Sequence, residues 1–388
     1  MKKNIESNRP IRVANLMEEG RFSGQHNRIV QVAAHLKGRG IETIVYFPRQ
    51  DSEFFEQRLN EHGINYRLLK LRRPTLALKA LILYFIYFFP DVFDLVKRLR
   101  KDAIDLAHCN GSWQIKAPLA AWLAGIKVLW HLNDTKMPSI VKGVFNILSS
   151  MIADFFILAS QRVQTYYLNN NLLKKIPSMI IQAPVDTQRL DPDKPLATDV
   201  FEPDQCLRVV FISNITPVKG VEYFIEMAGL LSAKRNDVAF HIVGRCYTNQ
   251  QKYVDGLKEL ASQLQVRNLH WHGFRSDIIN VLGATDVFVC SSVYEASPTV
   301  VWEAMSMARA IVSTDVGDIP VIIENGKSGF VVPTRNPAAL AQKVEMLIGD
   351  PELRHSFGQE ARHRAKAMLD VSICAKRHEE VYRRTLSA

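Results

Sequence analysis

Thirteen short apolar runs punctuate the chain, with longer amphipathic stretches between most of them. The first seven are Ile11–Leu16, Glu42–Phe47, Tyr66–Leu71, Leu106–Cys109, Lys127–Leu132, Phe155–Ala159 and Met179–Gln182. Runs that are apolar almost throughout, without strict alternation, predict strands buried on both faces of a parallel sheet. Helical spacing follows several of them, as in 27–38 and 112–124. The pattern breaks at 184–198, where Pro184, Pro192 and Pro195 stand among polar residues, and a linker is expected there. Winding then resumes with Leu207–Ile212, Val238–Val243, Asn268–His272, Val287–Ser291, Ala310–Ser313 and Gly329–Val332, and 337–387 reads as helices joined by short turns. The expected fold is α/β: two doubly wound parallel-sheet domains, 1–184 and 199–366, joined by 185–198 and facing a cleft.

The chemistry gathers after the fourth run of the second half. Glu295 and Glu303 stand eight positions apart with Ser297 and Pro298 between them. Serine suits an N-cap and proline a first helical position, so a helix is predicted to start at Pro298. The first amides of a helix have no intrahelical acceptor. Those of Thr299 and Val300 are therefore expected to cradle phosphate. Two flanking carboxylates that accept hydroxyl protons complete a site suited to a nucleotide diphosphate carrying a ribose and a sugar. Earlier in the same half, Lys219-Gly220 follows a strand and loop that hold Asn214. An ammonium there is placed to offset charge growing on a leaving phosphate. Gly244, at the end of the next strand, permits close backbone approach to a ligand, and Arg245 follows it. Phe274 lies on a loop suited to stacking against a nucleobase.

In the first half, Gly24 lies in a loop between strand one and helix one that is expected to face a phosphate or sugar. His131 closes a strand where the cleft is expected. Asp191-Pro192-Asp193 mimics a metal motif but falls in the linker, and no Cys/His cluster indicates a metal. Five scattered cysteines fit a reducing, cytosolic setting.

Charge changes the picture on one point. Of the net +10, the whole excess lies in residues 1–200, with 28 Lys and Arg against 18 Asp and Glu; residues 201–388 hold 21 of each. The basic clusters Arg67–Arg73 and Lys97–Lys101 flank the apolar, aromatic stretch Leu76–Phe89. That arrangement favours an anionic membrane interface over nucleic acid, since the cations do not interleave with stacking aromatics. The run is too short to span a bilayer and is expected to end at Pro90. Met1-Lys2-Lys3-Asn4 resembles the start of a signal peptide but no apolar core follows.

Taken together, these residues resemble the retaining glycosyltransferases of family 4, which have the two-domain GT-B fold. Glu295 and Glu303 match the family's E-x7-E element. Lys219 and Gly220, after Ser213 and Asn214, match part of its G-R-x-x-x-x-K-G element, and Asp315–Gly329 matches D-V-G-x-I-P…E-N-G-x-x-G. The resemblance implies that the second domain binds a nucleotide-sugar donor and the first an acceptor. It implies that Glu303 holds the ribose, Glu295 steadies the reacting sugar and Lys219 stabilises the diphosphate. It further implies that Gly24 lies near the diphosphate, that His131 lies near the transferred sugar, and that a final helix over 367–388 crosses back to the first domain. Asn214 stands where the family usually has arginine, and Arg245 is a candidate to compensate. The expected activity is metal-independent, cofactor-free, retaining transfer of a hexose or N-acetylhexosamine to a glycan or lipid-linked acceptor. Cell-surface polysaccharide or lipopolysaccharide assembly is the expected setting, with the protein cytoplasmic and peripheral on the inner face of the membrane. A GT-B sugar-nucleotide epimerase and a weakened nucleotide-sugar-binding protein are the alternatives.

Overall fold

A computed structural model describes residues 9–72, 78–197, 200–201 and 206–388. The Met1–Asn4 start, Arg73 of the basic cluster, residues 76–77 of the apolar run and the Thr198 end of the linker lie outside the described residues. The chain divides into two compact units, 1–183 with 371–388, and 184–370.

The first unit is a seven-stranded, wholly parallel sheet in the order β3-β2-β1-β4-β5-β6-β7. Its strands are β1 (Ile11–Leu16), β2 (Ile41–Pro48), β3 (Asn65–Leu69), β4 (Leu106–Asn110), β5 (Lys127–Leu132), β6 (Phe155–Leu158) and β7 (Ser178–Ile180). Both faces are covered, as the apolar runs require; Leu106 and Phe155 on one face and Ala107 and Phe156 on the other are buried. The last helix of the chain, Val371–Ser387, belongs to this unit. It packs beside the first helix, Gly24–Leu36, and buries Cys374, Ala375, Val381 and Tyr382 in the core.

The second unit is a six-stranded parallel sheet in the order β10-β9-β8-β11-β12-β13. Its strands are β8 (Leu207–Ile212), β9 (Val238–Val243), β10 (Leu269–Gly273), β11 (Val287–Cys290), β12 (Ala310–Thr314) and β13 (Phe330–Val332). In both sheets the strand order reverses beside the first strand, between β1 and β4 and between β8 and β11. Such a reversal opens a crevice at the carboxyl ends of the two strands, where open α/β sheets take their ligands.

One local expectation is corrected. Pro90 does not end the apolar run but sits in the first turn of a new helix, Phe88–Lys101, after a short break at Tyr87. A first-turn proline gives up no intrahelical hydrogen bond. The polar stretch after Pro184, expected as a linker, is fastened within the second unit. Val185 N–H donates to Leu369 O at 2.9 Å, and Leu190 O accepts from Ser306 Oγ at 2.7 Å. Arg362 pairs with Asp191 at 2.6 Å. That guanidinium engages Asp191, the first acid of the Asp-x-Asp pattern.

Candidate active site

In the second unit, the sequence-predicted residues collect around the β8–β11 crevice. Beyond β8 the chain makes a short turn over Pro217–Lys219 and enters the helix Val221–Ser232 through Gly220, at φ 62°. A Cβ on Gly220 would lie 2.2 Å from Ser291 O, so only glycine lets this turn close against the end of β11. Ser291 Oγ donates to Gly220 O at 2.7 Å, and Val293 N–H donates to Val218 O at 2.9 Å. The two loops are thus stitched together, and the stitching brings the Lys219 ammonium onto the Glu295 carboxylate in a short ion pair. Ser292 Oγ donates to the same carboxylate oxygen at 3.0 Å. Both charged side chains keep some contact with solvent, 24% for Lys219 and 14% for Glu295.

The following helix runs Thr299–Ser306, one residue later than expected. Ser297 does not cap it. Its Oγ accepts from Trp302 Nε1 at 3.2 Å, and Pro298 takes the cap position with no side-chain bond. Thr299 and Val300 still supply the first helical amides. Glu303 lies one turn beyond Thr299 on the same helix face. Its carboxyl is pushed up to about 7 by burial, with Arg189 pulling the other way. Among the described residues no hydrogen bond or ion pair joins Glu303 to the Lys219–Glu295 pair; Lys219 and Glu295 meet directly, and Glu303 stands on the helix that follows.

Loops after β9 and β10 extend the same rim. A Cβ on Gly244 would fall 1.6 Å from Ser213 O, which makes glycine obligatory where these loops cross. Ile215 N–H donates to Arg245 O at 2.9 Å, and Gly244 N–H donates to Gly273 O at 2.8 Å. Arg245 stacks on the ring of Phe274, with its guanidinium carbon 4.4 Å from the centroid. Phe274 is 60% exposed, so the stack is an open aromatic platform. Asn214 is exposed beside it in the β8 loop.

The first unit treats its predicted residues differently. Gly24 is exposed at the start of its helix, in a loop fastened by His26, whose ring meets Ser23 Oγ at 2.8 Å and Glu19 O at 2.9 Å. His131, by contrast, is wholly buried. Strand register explains this: Asn15 pairs with His108 and Asn110 with His131, so four polar side chains share one sheet face. Arg28 from the first helix donates to His131 Nε2 at 2.6 Å and to Asn110 Oδ1. Arginine only donates, so His131 carries its proton on Nδ1 and passes a bond to His108 Nε2 at 3.2 Å. His108 Nδ1 then meets Tyr382 of the last helix at 2.8 Å. The expectation that His131 opens onto a ligand site is corrected: both ring nitrogens are occupied. Burial, reinforced by Arg28, holds His131 and His108 well below the ordinary histidine range.

His108, His131 and His378 offer ring nitrogens within 4.8 Å of one another. Local pattern does not reveal this grouping, because 247 positions separate His131 from His378. The Arg28 charge against His131 opposes a cation there. Sequence reading also missed Asn133. It lies two residues beyond His131, just past the end of its strand, and its buried amide nitrogen has no partner among the described residues.

The chain is similar to known proteins over both units. Residues 22–189 match the Glycosyltransferase Family 4 family, and residues 198–364 match Glycosyl transferases group 1. The chain belongs to the family 4 type of GT-B glycosyltransferases. An N,N'-diacetylbacillosaminyl-diphospho-undecaprenol alpha-1,3-N-acetylgalactosaminyltransferase of Campylobacter jejuni is 26% identical over 372 residues, covering 90% of this glycosyltransferase and 93% of the relative. An alpha-D-kanosaminyltransferase of Streptomyces kanamyceticus is 30% identical over 177 residues, and that match spans 45% of each chain. A glycosyltransferase structure from Rickettsia africae superposes with a TM-score of 0.81 at 20% identity, covering 98% of this chain and 99% of that one. Anabaena HepE in complex with UDP-glucose gives 0.80 at 20% identity, covering 96% and 99%. No helix among the described residues is long and apolar enough to cross a membrane.

Proposed function

We propose that this glycosyltransferase moves a hexose or N-acetylhexosamine, with retention of configuration, from a nucleotide diphosphate sugar to a glycan or lipid-linked acceptor. The setting is assembly of a cell-surface polysaccharide or lipopolysaccharide, with the protein peripheral on the anionic inner face of a membrane. The observation that carries this reading is the Lys219–Glu295 ion pair at the β8–β11 crevice, beside the start of the Thr299–Ser306 helix.

Each residue has a part in the proposed reaction. A diphosphate seated on the Thr299 and Val300 amides draws the Lys219 ammonium toward its leaving oxygen. Glu295, relieved of its cation, accepts a hydroxyl proton of the donor sugar. Glu303 accepts the ribose hydroxyls, and the base stacks on Phe274 under Arg245. Gly244 keeps the loop low enough for the donor to approach. The leaving oxygen takes the acceptor's proton on the face where the new bond forms, so no separate strong base is needed. Lys219 and the helix amides supply the positive potential that a metal gives other transferases. In the first unit, Asn133 serves the acceptor, and the Gly24 loop keeps the diphosphate role that the family resemblance implies. His131 acts through Asn133's strand, as a positioning residue held by Arg28. The Campylobacter relative's name describes transfer of N-acetylgalactosamine to a diphospho-undecaprenol-linked sugar, which supports both the sugar class and a lipid-linked acceptor.

The test is a panel of nucleotide sugars screened for protection against thermal unfolding. The protecting donor is then incubated, in EDTA, with a polyprenyl diphosphate-linked saccharide. An α-linked product from an α-linked donor is expected. An inverted product, or turnover only with added divalent metal, overturns the retaining or the metal-independent part. Exposed Asn214 in place of the usual arginine favours a second reading, a binding protein with weakened catalysis. Donor protection without nucleotide release from any acceptor would decide for it.

A further inference from the structure

One helix of the first unit carries its apolar residues on the wrong side for a globular protein. The helix Ser139–Ile152 buries Phe145, Asn146, Ser149 and Ile152. Its solvent side presents Ile140, Val144, Ile147 and Met151, exposed by 85, 56, 58 and 70%. The spacing of four, three and four residues puts all four on one stripe. An amphipathic surface helix normally turns charge to that side. Here residues 135–153 hold no acid at all, only Lys136 and Lys142.

The stripe has company. The helix Ser139–Ile152 touches the helix Lys116–Leu123, which in turn packs against Phe88–Lys101. Trp122 and Leu123 are exposed on the middle helix. On the third, Phe89, Phe93, Lys97 and Arg100 follow one another at helical spacing along the solvent side. The two phenylalanines lead, and exposed cations end the row. Phe85 and Ile86 continue the apolar surface on the preceding helix. Single exposed apolar residues are common on proteins, but three adjacent helices each turning an apolar face outward are not.

We propose that this three-helix layer is the membrane-docking face, and that the Ser139–Ile152 helix lies in the headgroup boundary alongside the aromatic helices. The occupant is a bilayer rich in anionic lipid. Branched aliphatic and aromatic side chains rimmed by lysine and arginine, on a helix free of acids, match an apolar interior beneath a negative surface. A second copy of the chain fits worse, because a two-fold contact would set the basic rim against itself. The inference rests on the lipid-linked acceptor reading and gives it a physical surface.

The full-length protein is sedimented with vesicles of phosphatidylcholine containing about 30 mol% phosphatidylglycerol, and with phosphatidylcholine alone. Wild type is expected to bind the anionic vesicles and to release as salt rises. Ile147→Asp with Met151→Asp is expected to weaken binding at least tenfold, and Phe89→Asp with Phe93→Asp to match it. Lys97→Gln with Arg100→Gln should erase the preference for phosphatidylglycerol. An unchanged thermal midpoint and unchanged nucleotide-sugar protection show that each variant is folded. Wild-type-like binding of the Ile147/Met151 variant overturns the proposal. So does absence of wild-type binding, or a dimer in sedimentation velocity that this variant dissociates. Transfer to a detergent-solubilised lipid-linked acceptor is measured in parallel. If it persists while vesicle binding is absent, the docking face fails and the glycosyltransferase reading stands; if vesicles bind and transfer is absent, the reverse holds.

Discussion

The two sheets wind alike and differ at their rims. In the second unit, polar chemistry stays at the carboxyl ends of the strands: Lys219 on Glu295, and Arg245 over Phe274, all with access to solvent. In the first, the equivalent crevice between β1 and β4 draws its polar groups inward. Arg28, His108, Asn110 and His131 are buried and satisfy one another, while the unit's outer helices expose Phe89, Trp122 and Met151. One topology thus serves two kinds of surface. The fold fixes where a crevice opens; the side chains decide whether it faces a charged ligand or closes into a scaffold.

If that contrast is right, removing charge from the two crevices has opposite signatures. Lys219→Ala should lower kcat by about 10²–10³-fold, the usual effect of deleting one preorganised group that meets developing negative charge. Its stability should change by no more than about 1 kcal/mol, because both members of the ion pair reach water. Arg28→Met should do the reverse. It leaves His131 Nε2 and Asn110 Oδ1 without their donor, at about 1–3 kcal/mol for each orphaned group. Urea unfolding should report a loss of about 2–4 kcal/mol, while donor protection in the second unit is unchanged. An unfolding midpoint that moves with Lys219 and not with Arg28 would collapse the distinction.

Glu303 sharpens it further, being a partly buried acid in the otherwise open crevice. Its carboxyl is raised to about 7 by burial. A ribose diol needs the carboxylate, so donor affinity should rise several-fold as pH climbs from 6 to 8. Stability runs the other way. The folded protein holds this proton up to about pH 7, and the unfolded chain loses it in the ordinary carboxylate range. The contribution is therefore complete at low pH and lost as pH rises through 7. Glu303→Gln should flatten both profiles, read by nucleotide-sugar titration from about pH 6 to 8 and by urea midpoints from the ordinary carboxylate range up to about 7.

The contrast also explains what the sequence could disclose. The central strands were legible because a strand buried on both faces must be apolar along its length, as Phe155–Leu158 and Val287–Cys290 are; the edge strands Asn65–Leu69 and Leu269–Gly273, only partly buried, were marked by their place in the βα alternation. The Lys219–Glu295 pair and the Arg245–Phe274 stack lie at strand ends and helix starts, positions that local pattern marks. His131 was misread for the opposite reason. Its surroundings come from Arg28, His108 and Tyr382, which only register and the returning last helix bring together. The same limit hid the stripe on Ser139–Ile152. A helical apolar repeat looks the same whether it faces the core or the solvent until the rest of the layer is in place. The linker was seen as polar and proline-rich, but its anchoring by Arg362 depends on a residue 171 positions away from Asp191.

The smallest expected effect bears on whether the open rim needs all of its cations. Arg245 lies 4.4 Å over the exposed ring of Phe274. A base that stacks on the ring competes with or sandwiches the guanidinium, and the outcome sets what each deletion costs. Phe274→Ala removes the platform itself and should weaken donor binding by about 1–2 kcal/mol, or roughly five- to thirtyfold, within the range of base–aromatic stacking. Arg245→Ala leaves the ring in place, so it should cost less, about twofold to fivefold, and the loss should shrink as salt screens a guanidinium acting on phosphate. The double variant separates the two roles. If Arg245 acts only by packing on Phe274, its loss has no effect once the ring is gone, and the cycle shows full coupling. If it replaces the arginine missing at Asn214 by reaching the diphosphate, its effect survives in the Phe274→Ala background and Asn214→Arg restores what Arg245→Ala removes.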